Sequence, residues 1–398
     1  MSKAQNQSSQ PYSTADLGFA VDPERGFLPS SDPLDRLPRD FDRWEEIAGD
    51  IPKLLAAETL RPILEQLPVL DVDALHSEAQ LRRAMMLLSY FGHGYVWGGK
   101  KAVDHVPSGV AVPWHAVAHQ LDRPPVLSYA SYALDNWRRL DSNGPIALGN
   151  IVLLQNFLAG LDEEWFILIH VNIEAKAAPA LRAIGSAQRA VSEDRPDELE
   201  HQLGLIAAAV QDMYTTLLRM PEQCDPYIYY HRVRPYIHGW KDQPALPHGV
   251  VYQGVTAYKG QPQQFRGETG AQSSLIPCLD AALSIGHRDD PLRPYLREMR
   301  AYMPARHRDC IAAIEQGPCI RDYVLAQRQQ ALELRSAYDA CVHQIELFRS
   351  THLEYAGRYI HQQIQCRADN PTDRGTGGTP FMPYLKKHRD ETAAHLIS

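Results

Sequence analysis

Residues Leu334, Tyr338, Cys341, Ile345, Phe348, His352, Tyr355 and Tyr359 follow one another at spacings of four and three. Side chains placed at those intervals stack on one face of an α-helix. The segment therefore reads as a long helix with a single apolar and aromatic stripe, which other elements must cover. His352 interrupts the stripe, putting a titratable ring where the core residues point.

Much of the chain continues in the same style. The stretch "DELEHQLGLIAAAVQDMYTTLLRM" sets Leu199, Leu203, Ile206, Val210, Met213 and Leu217 on one face, and "SEAQLRRAMMLLSYFGHGYVWG" runs into glycines. "RWEEIAGDIPKLLAAETLRPILEQL" keeps helical spacing but is interrupted by Pro52 and Pro62. The run "WFILIHVNI" (165–173) is ambiguous between strand and buried helix. It is assigned to helix because "EAKAAPALRAIGSAQRAV" continues helically. Turn residues in "RRLDSNGPIALGN" (138–150) mark a domain boundary just beyond them. The expectation is an all-α protein: a disordered arm over 1–18, a small helical domain over 19–155 packed on a larger helical domain over 156–398. Two stretches, 245–274 and 366–384, read as long loops, the second as a lid.

Net charge narrows the partners. The formal value of -8 is spread along 398 residues without a basic block, so neither nucleic acid nor an anionic membrane is expected. A small neutral or zwitterionic ligand fits better. Six cysteines show no CxxC or regular spacing, the reading for reduced thiols in a cytoplasmic protein. The polar start "MSKAQNQSSQPYSTAD" is no signal peptide, and 165–173 is too short to span a bilayer.

Few segments suggest chemistry. His115 and His119 have the spacing of two zinc ligands, but lack the following Glu and a third donor. "GTGGT" (375–379) lacks the Lys-Ser/Thr ending of a phosphate loop. His352 reads either as a satisfied core histidine or as the axial ligand of a haem held without covalent attachment, since there is no CxxCH. Arg349, one turn earlier on the same side, could then meet a propionate. Arg234 lies in "YYHRVRPYIHGWKDQP" among Tyr229, Tyr230, Tyr236 and Trp240. It is either packed over surface aromatics or set to bind a carboxylate bidentately beside a stacked ring. Together these features suggest a redox enzyme for an aromatic amino acid.

The ordered motifs "GYVWGG", "VAVPW", "PPVLSYASYALDNW", "YIHGWKDQP", "GVVYQG", "GAQSS", "MRAYMPARHRDCI", "LRSAYDACV", "LFRSTHL" and "GTGGT" resemble those of the indoleamine 2,3-dioxygenase family. The resemblance implies a small and a large helical domain, the latter holding haem b, and cleavage of the indole C2–C3 bond of L-tryptophan or a close indoleamine by O2 to give N-formylkynurenine. It implies His352 as the proximal iron ligand, with Arg349 and Asp280 beside it. Arg234 would take the substrate carboxylate, Thr376 the amino-acid head group, and Tyr229, Tyr230, Tyr129, Tyr132, Phe166 and Ile167 the ring. Thr269 and Gly270 would lie at the haem edge. An electron donor would keep the haem ferrous, and a monomer is expected. One departure is His170, which falls where some relatives carry a small serine. It would accept the indole N–H, or it is a core histidine. Two further readings stay open: a related haem enzyme that oxidises or rearranges a tryptophan derivative, and a haem-binding sensor without turnover.

Overall fold

The computed structural model describes residues 21–286, 292–327, 332–363, 376 and 381–397. The expected arm over 1–18 lies outside them, as does the 366–384 loop apart from Thr376 and 381–384. The fold is all-α, as the sequence indicates. In chain order the helices are α1 (Asp42–Ala56), α2 (Leu60–Glu65), α3 (Glu78–Trp97), α4 (Ser108–Gln120), α5 (Leu161–Lys176), α6 (Ala178–Ser192) and α7 (Pro196–Leu217). They continue with α8 (Pro226–Ile228), α9 (Arg234–Ile237), α10 (Leu275–Ala282), α11 (Leu292–Arg300), α12 (Ala305–Gln316), α13 (Ile320–Gln327), α14 (Leu332–Ala356) and α15 (Phe381–Ala393). Strand among the described residues amounts to two pairs of two-residue segments, one parallel (His105–Val106 with Val251–Tyr252) and one antiparallel (Arg138–Arg139 with Ile151–Val152). Among the described residues no helix is long and apolar enough to cross a membrane.

Local chemistry sets the helix ends. Ser77 and Gln80 form a capping box at the start of α3, satisfying two amide groups that the first turn leaves open. Asp162, Glu163 and Glu164 crowd the first turn of α5 and Lys176 its last, each complementing the helix dipole. Pro52 sits inside α1 without ending it.

Two apolar cores result. The first gathers α1, α3 and α4 with Val126, Leu127, Trp137, Trp240 and Tyr252. The second gathers α6, α7, α10, α12 and the first half of α14. The long stripe of α14 follows this division: Leu334, Tyr338, Cys341 and Ile345 are fully buried in the second core, while Phe348 is only partly covered. Helix α5 belongs to both cores, giving Ile167, Leu168 and Val171 to the first and Trp165, Ile169 and Ile173 to the second. A helix gripped on two sides is apolar nearly all round, so it shows no helical period. That is why 165–173 looked equally like a strand.

Buried polar links fix the first core in register. Arg83 of α3 binds Glu45 of α1 through Nε at 3.1 Å and Nη2 at 2.5 Å. His93, fully buried in α3, lies with Nδ1 2.7 Å from the Tyr236 carbonyl and accepts the Leu127 amide on Nε2 at 3.0 Å. A carbonyl only accepts, so Nδ1 carries the proton, and burial lowers this imidazole's pKa to about 3. One neutral ring thereby joins α3 to the 126–134 segment and to α9, both of which supply the site described below.

At Gly92 helices α3 and α4 approach closely: a Cβ there would stand 2.1 Å from the Trp114 ring. Alanine favours a helix over glycine by about 1 kcal/mol, but forcing the indole aside costs roughly 1–3 kcal/mol. Gly92→Ala is therefore expected to destabilise the protein, read as a lower urea midpoint at unchanged slope. A higher midpoint would show that the α3–α4 contact yields.

Candidate functional site

Three π-helical turns, Ala130–Leu134, Tyr229–Val233 and Gly357–His361, surround one region between the cores. Such turns widen a helix by one residue and often accompany functional sites. Here each one carries a tyrosine toward the same place: Tyr132, Tyr229 and Tyr359. Phe166 of α5 is the hub, with its ring 4.5 Å from Tyr229, 6.5 Å from Tyr132 and 4.6 Å from His170. Tyr229 meets Tyr359 edge-on at 6.0 Å and Tyr129 meets His170 edge-on at 5.9 Å.

His352 lies near the end of α14. Much of its surface is uncovered, yet protein surrounds it densely enough that burial, with smaller contributions from His170 and Arg349, lowers its pKa to about 4. The ring is thus open on one side while protein groups flank it on the others. His352 has no hydrogen bond to any described residue, so its lone pair stays available at neutral pH. His170 and Phe166 are also partly uncovered, and His170 is within electrostatic reach of His352. A Cβ at Gly270 would meet nothing within 4 Å. One open imidazole beside a cluster of aromatic rings is the donor set that a haem needs. Among the described residues no three His, Cys, Asp or Glu gather as they would around a bare ion.

The second imidazole has a defined tautomer. His170 Nδ1 lies 2.7 Å from the Phe166 carbonyl one turn earlier, so Nδ1 holds the proton and Nε2 is an acceptor. Burial lowers the pKa and keeps the ring neutral.

Arg234 is fully buried at the start of α9, its Cζ 5.2 Å from the Tyr230 ring centre. Burial lowers even its pKa. Thr376 reaches the neighbourhood by donating its hydroxyl to the Glu268 carbonyl and accepting the Gly239 amide at 3.5 Å. Thr269 caps a short turn through Ala271, and the exposed Gly270 follows. On the His352 side, Arg349 donates Nη2 to Asp280 at 2.6 Å and Nη1 to the Thr392 hydroxyl, tying α14 to α10 and α15. Ile167 is fully buried in the first core instead of facing the space.

Two carboxyls escaped the sequence reading. Glu174 accepts the Tyr129 hydroxyl at 2.9 Å and the Ser273 hydroxyl at 2.8 Å, both on Oε1, and burial raises its pKa to about 7. Phe166, His170 and Glu174 recur every four residues, so one edge of α5 presents a ring, an acceptor nitrogen and a carboxyl. Glu268 is 4% exposed, accepts no hydrogen bond on its carboxyl from any described residue, and is raised by burial alone to about 8. Its carboxyl lies within electrostatic reach of Tyr90, Tyr129, Tyr132 and Tyr229. Spacing gives no signal for either, because Glu in a helix or a Gly-rich loop is ordinarily a solvated side chain.

The family model described as Indoleamine 2,3-dioxygenase matches residues 16–395. Indoleamine 2,3-dioxygenase 1 of Rattus norvegicus is 34% identical over 394 residues, covering 96% of this chain and 95% of its own. Indoleamine 2,3-dioxygenase 2 of Homo sapiens is 32% identical, covering 95% of each chain. Indoleamine 2,3-dioxygenase acdA of Aspergillus candidus is 34% identical, covering 94% of this chain and 96% of its own.

The buried carboxyls carry a pH signature. Glu268 holds its proton more tightly in the folded state, about 8 against an ordinary 4.5. Its contribution to stability therefore falls as pH rises through that window, by at most about 1.4 kcal/mol per pH unit. Glu268→Gln, which cannot ionise, is expected to match the parent near pH 4 and exceed it at pH 8.5 in urea denaturation. A difference independent of pH would mean that this carboxyl titrates normally.

Proposed function

The chain belongs to the indoleamine 2,3-dioxygenase family, and on that premise we propose that it opens the indole C2–C3 bond of L-tryptophan or a close indoleamine with O2, giving N-formylkynurenine. The observation that carries this reading is the pair of neutral imidazoles, His352 and His170, within electrostatic reach of each other beside a cluster of aromatic rings. His352 would hold the haem iron, with Thr269 and Gly270 at the edge of the macrocycle and the Arg349–Asp280 pair behind the ligand. When bound, haem supplies the O2 activation that the reaction needs, and the protein supplies position and polarity.

Each wall residue then has a task. Arg234 binds the substrate carboxylate through its planar fork, and its burial strengthens the contact because water cannot compete. Thr376 meets the amino-acid head group. Phe166, Tyr229, Tyr230, Tyr129 and Tyr132 confine the indole, so that a diffusive encounter becomes a positioned one. His170 Nε2 accepts the indole N–H and fixes the ring's rotation about the axis that Arg234 anchors. Glu174 holds Tyr129 and Ser273 in place around that histidine.

A second reading, oxidation or rearrangement of a tryptophan derivative, draws support from the bulk of Tyr132 and from His170. The decisive assay follows near-ultraviolet absorbance of N-formylkynurenine when haem-replete enzyme meets L-tryptophan, ascorbate and a redox mediator. Turnover without that product would favour the second reading, and no turnover at all would leave a haem-binding sensor.

Three substitutions test the roles. His352→Ala is expected to purify without haem, whereas an unchanged Soret band at full occupancy would remove His352 from the iron. Arg234→Ala is expected to raise KM for L-tryptophan by the equivalent of roughly 2–5 kcal/mol with haem content intact, and Arg234→Lys to recover only part, since an ammonium lacks the fork. The parent enzyme is expected to reject 1-methyltryptophan, which leaves a buried acceptor unpaired at about 1–3 kcal/mol. His170→Ala should relax that selectivity, and equal turnover of both compounds by the parent would return His170 to the core.

A further inference from the structure

We propose that Glu268 is the acceptor for the α-ammonium group of the zwitterionic substrate, the acidic counterpart of Arg234 at the carboxylate. This rests on the functional reading above and names a residue that the reading did not use. A carboxyl enclosed in protein without a hydrogen-bond donor is costly, and such groups in native proteins call for an explanation such as a ligand. Glu268 is of this kind: it is 4% exposed, and the described residues give its carboxyl neither an ion pair nor a donor.

Its position matches the task. The Glu268 amide donates to the Ile237 carbonyl at 3.1 Å, at the end of the one-turn helix that begins with Arg234. Its carbonyl accepts the Thr376 hydroxyl, and Thr269 is its neighbour in sequence. Tyr229, whose ring packs on Phe166, feels both the Arg234 guanidinium and the Glu268 carboxyl. Acid and base thus both act on Tyr229 of the same aromatic wall. The titratable groups facing the carboxyl are Tyr90, Tyr129, Tyr132 and Tyr229, all un-ionised at neutral pH and none supplying a charge. Burial keeps the empty carboxyl protonated and uncharged. An arriving ammonium is the cation that would favour its ionisation, and an amino acid brings that cation attached to the carboxylate that Arg234 takes.

The test is calorimetric titration of haem-replete ferric protein without reductant, so that binding is read without turnover. Three ligands separate the charges: L-tryptophan, indole-3-propionate without the ammonium, and tryptamine without the carboxylate. Glu268→Gln should weaken L-tryptophan and tryptamine by roughly tenfold or more and leave indole-3-propionate unchanged. Arg234→Ala should weaken L-tryptophan and indole-3-propionate and spare tryptamine. The assignment is overturned if Glu268→Gln leaves L-tryptophan affinity intact, or weakens indole-3-propionate equally, which would mark an effect of shape. A parent that binds and cleaves L-tryptophan with affinity independent of Glu268 overturns this assignment alone. A parent that binds none of the three ligands overturns the functional reading together with it.

Discussion

The arrangement depends on α5 being held between two cores. Its apolar side chains face both ways, which leaves one narrow edge, Phe166, His170 and Glu174, along the seam where the two cores meet. Because the helix is gripped on two sides, that edge cannot rotate without pulling side chains out of one core or the other. Close packing resists such movement. A ring, a nitrogen acceptor and a carboxyl are therefore held in fixed relative positions by residues that take no part in the chemistry.

The sequence exposes this plan unevenly. The stripe on α14 was legible because one side of that helix is covered and the other is not, so the period survives. In α5 the double burial erased the period, and its helical character could be inferred only from the clearly helical segment 174–191 that continues it. Arg234 and Tyr229 stood out through aromatic company a few residues away. Glu174 and Glu268 did not, because their neighbours, Ser273 for one and Tyr90 for the other, are distant in the chain. Only folding shows that these carboxyls have lost their water. The short π-helical turns were likewise invisible, since one extra residue per turn alters no composition. Arg349 illustrates the opposite case: spacing brought it beside His352, but only the fold reveals that its guanidinium is engaged by Asp280 and Thr392.

Burial acts on the imidazoles and on the two buried carboxyls of the site in the same sense, toward neutrality. It lowers the imidazoles of His170 and His352 and raises the carboxyls of Glu174 and Glu268. Arg234, by contrast, keeps a charge that no ordinary pH removes. The region is thus poor in standing charge but rich in groups able to acquire one.

The Arg349 contacts also have a topological consequence. Asp280, Arg349 and Thr392 lie on α10, α14 and α15, and the chain between α14 and α15 passes through Thr376. With both helices clasped together, the ends of that intervening stretch are already near one another before any ligand arrives. The entropy of closing such a loop grows only slowly with its length, and folding has met that cost in advance. Thr376 is tethered from both sides and held against the Glu268 carbonyl, so keeping it there costs little further chain entropy.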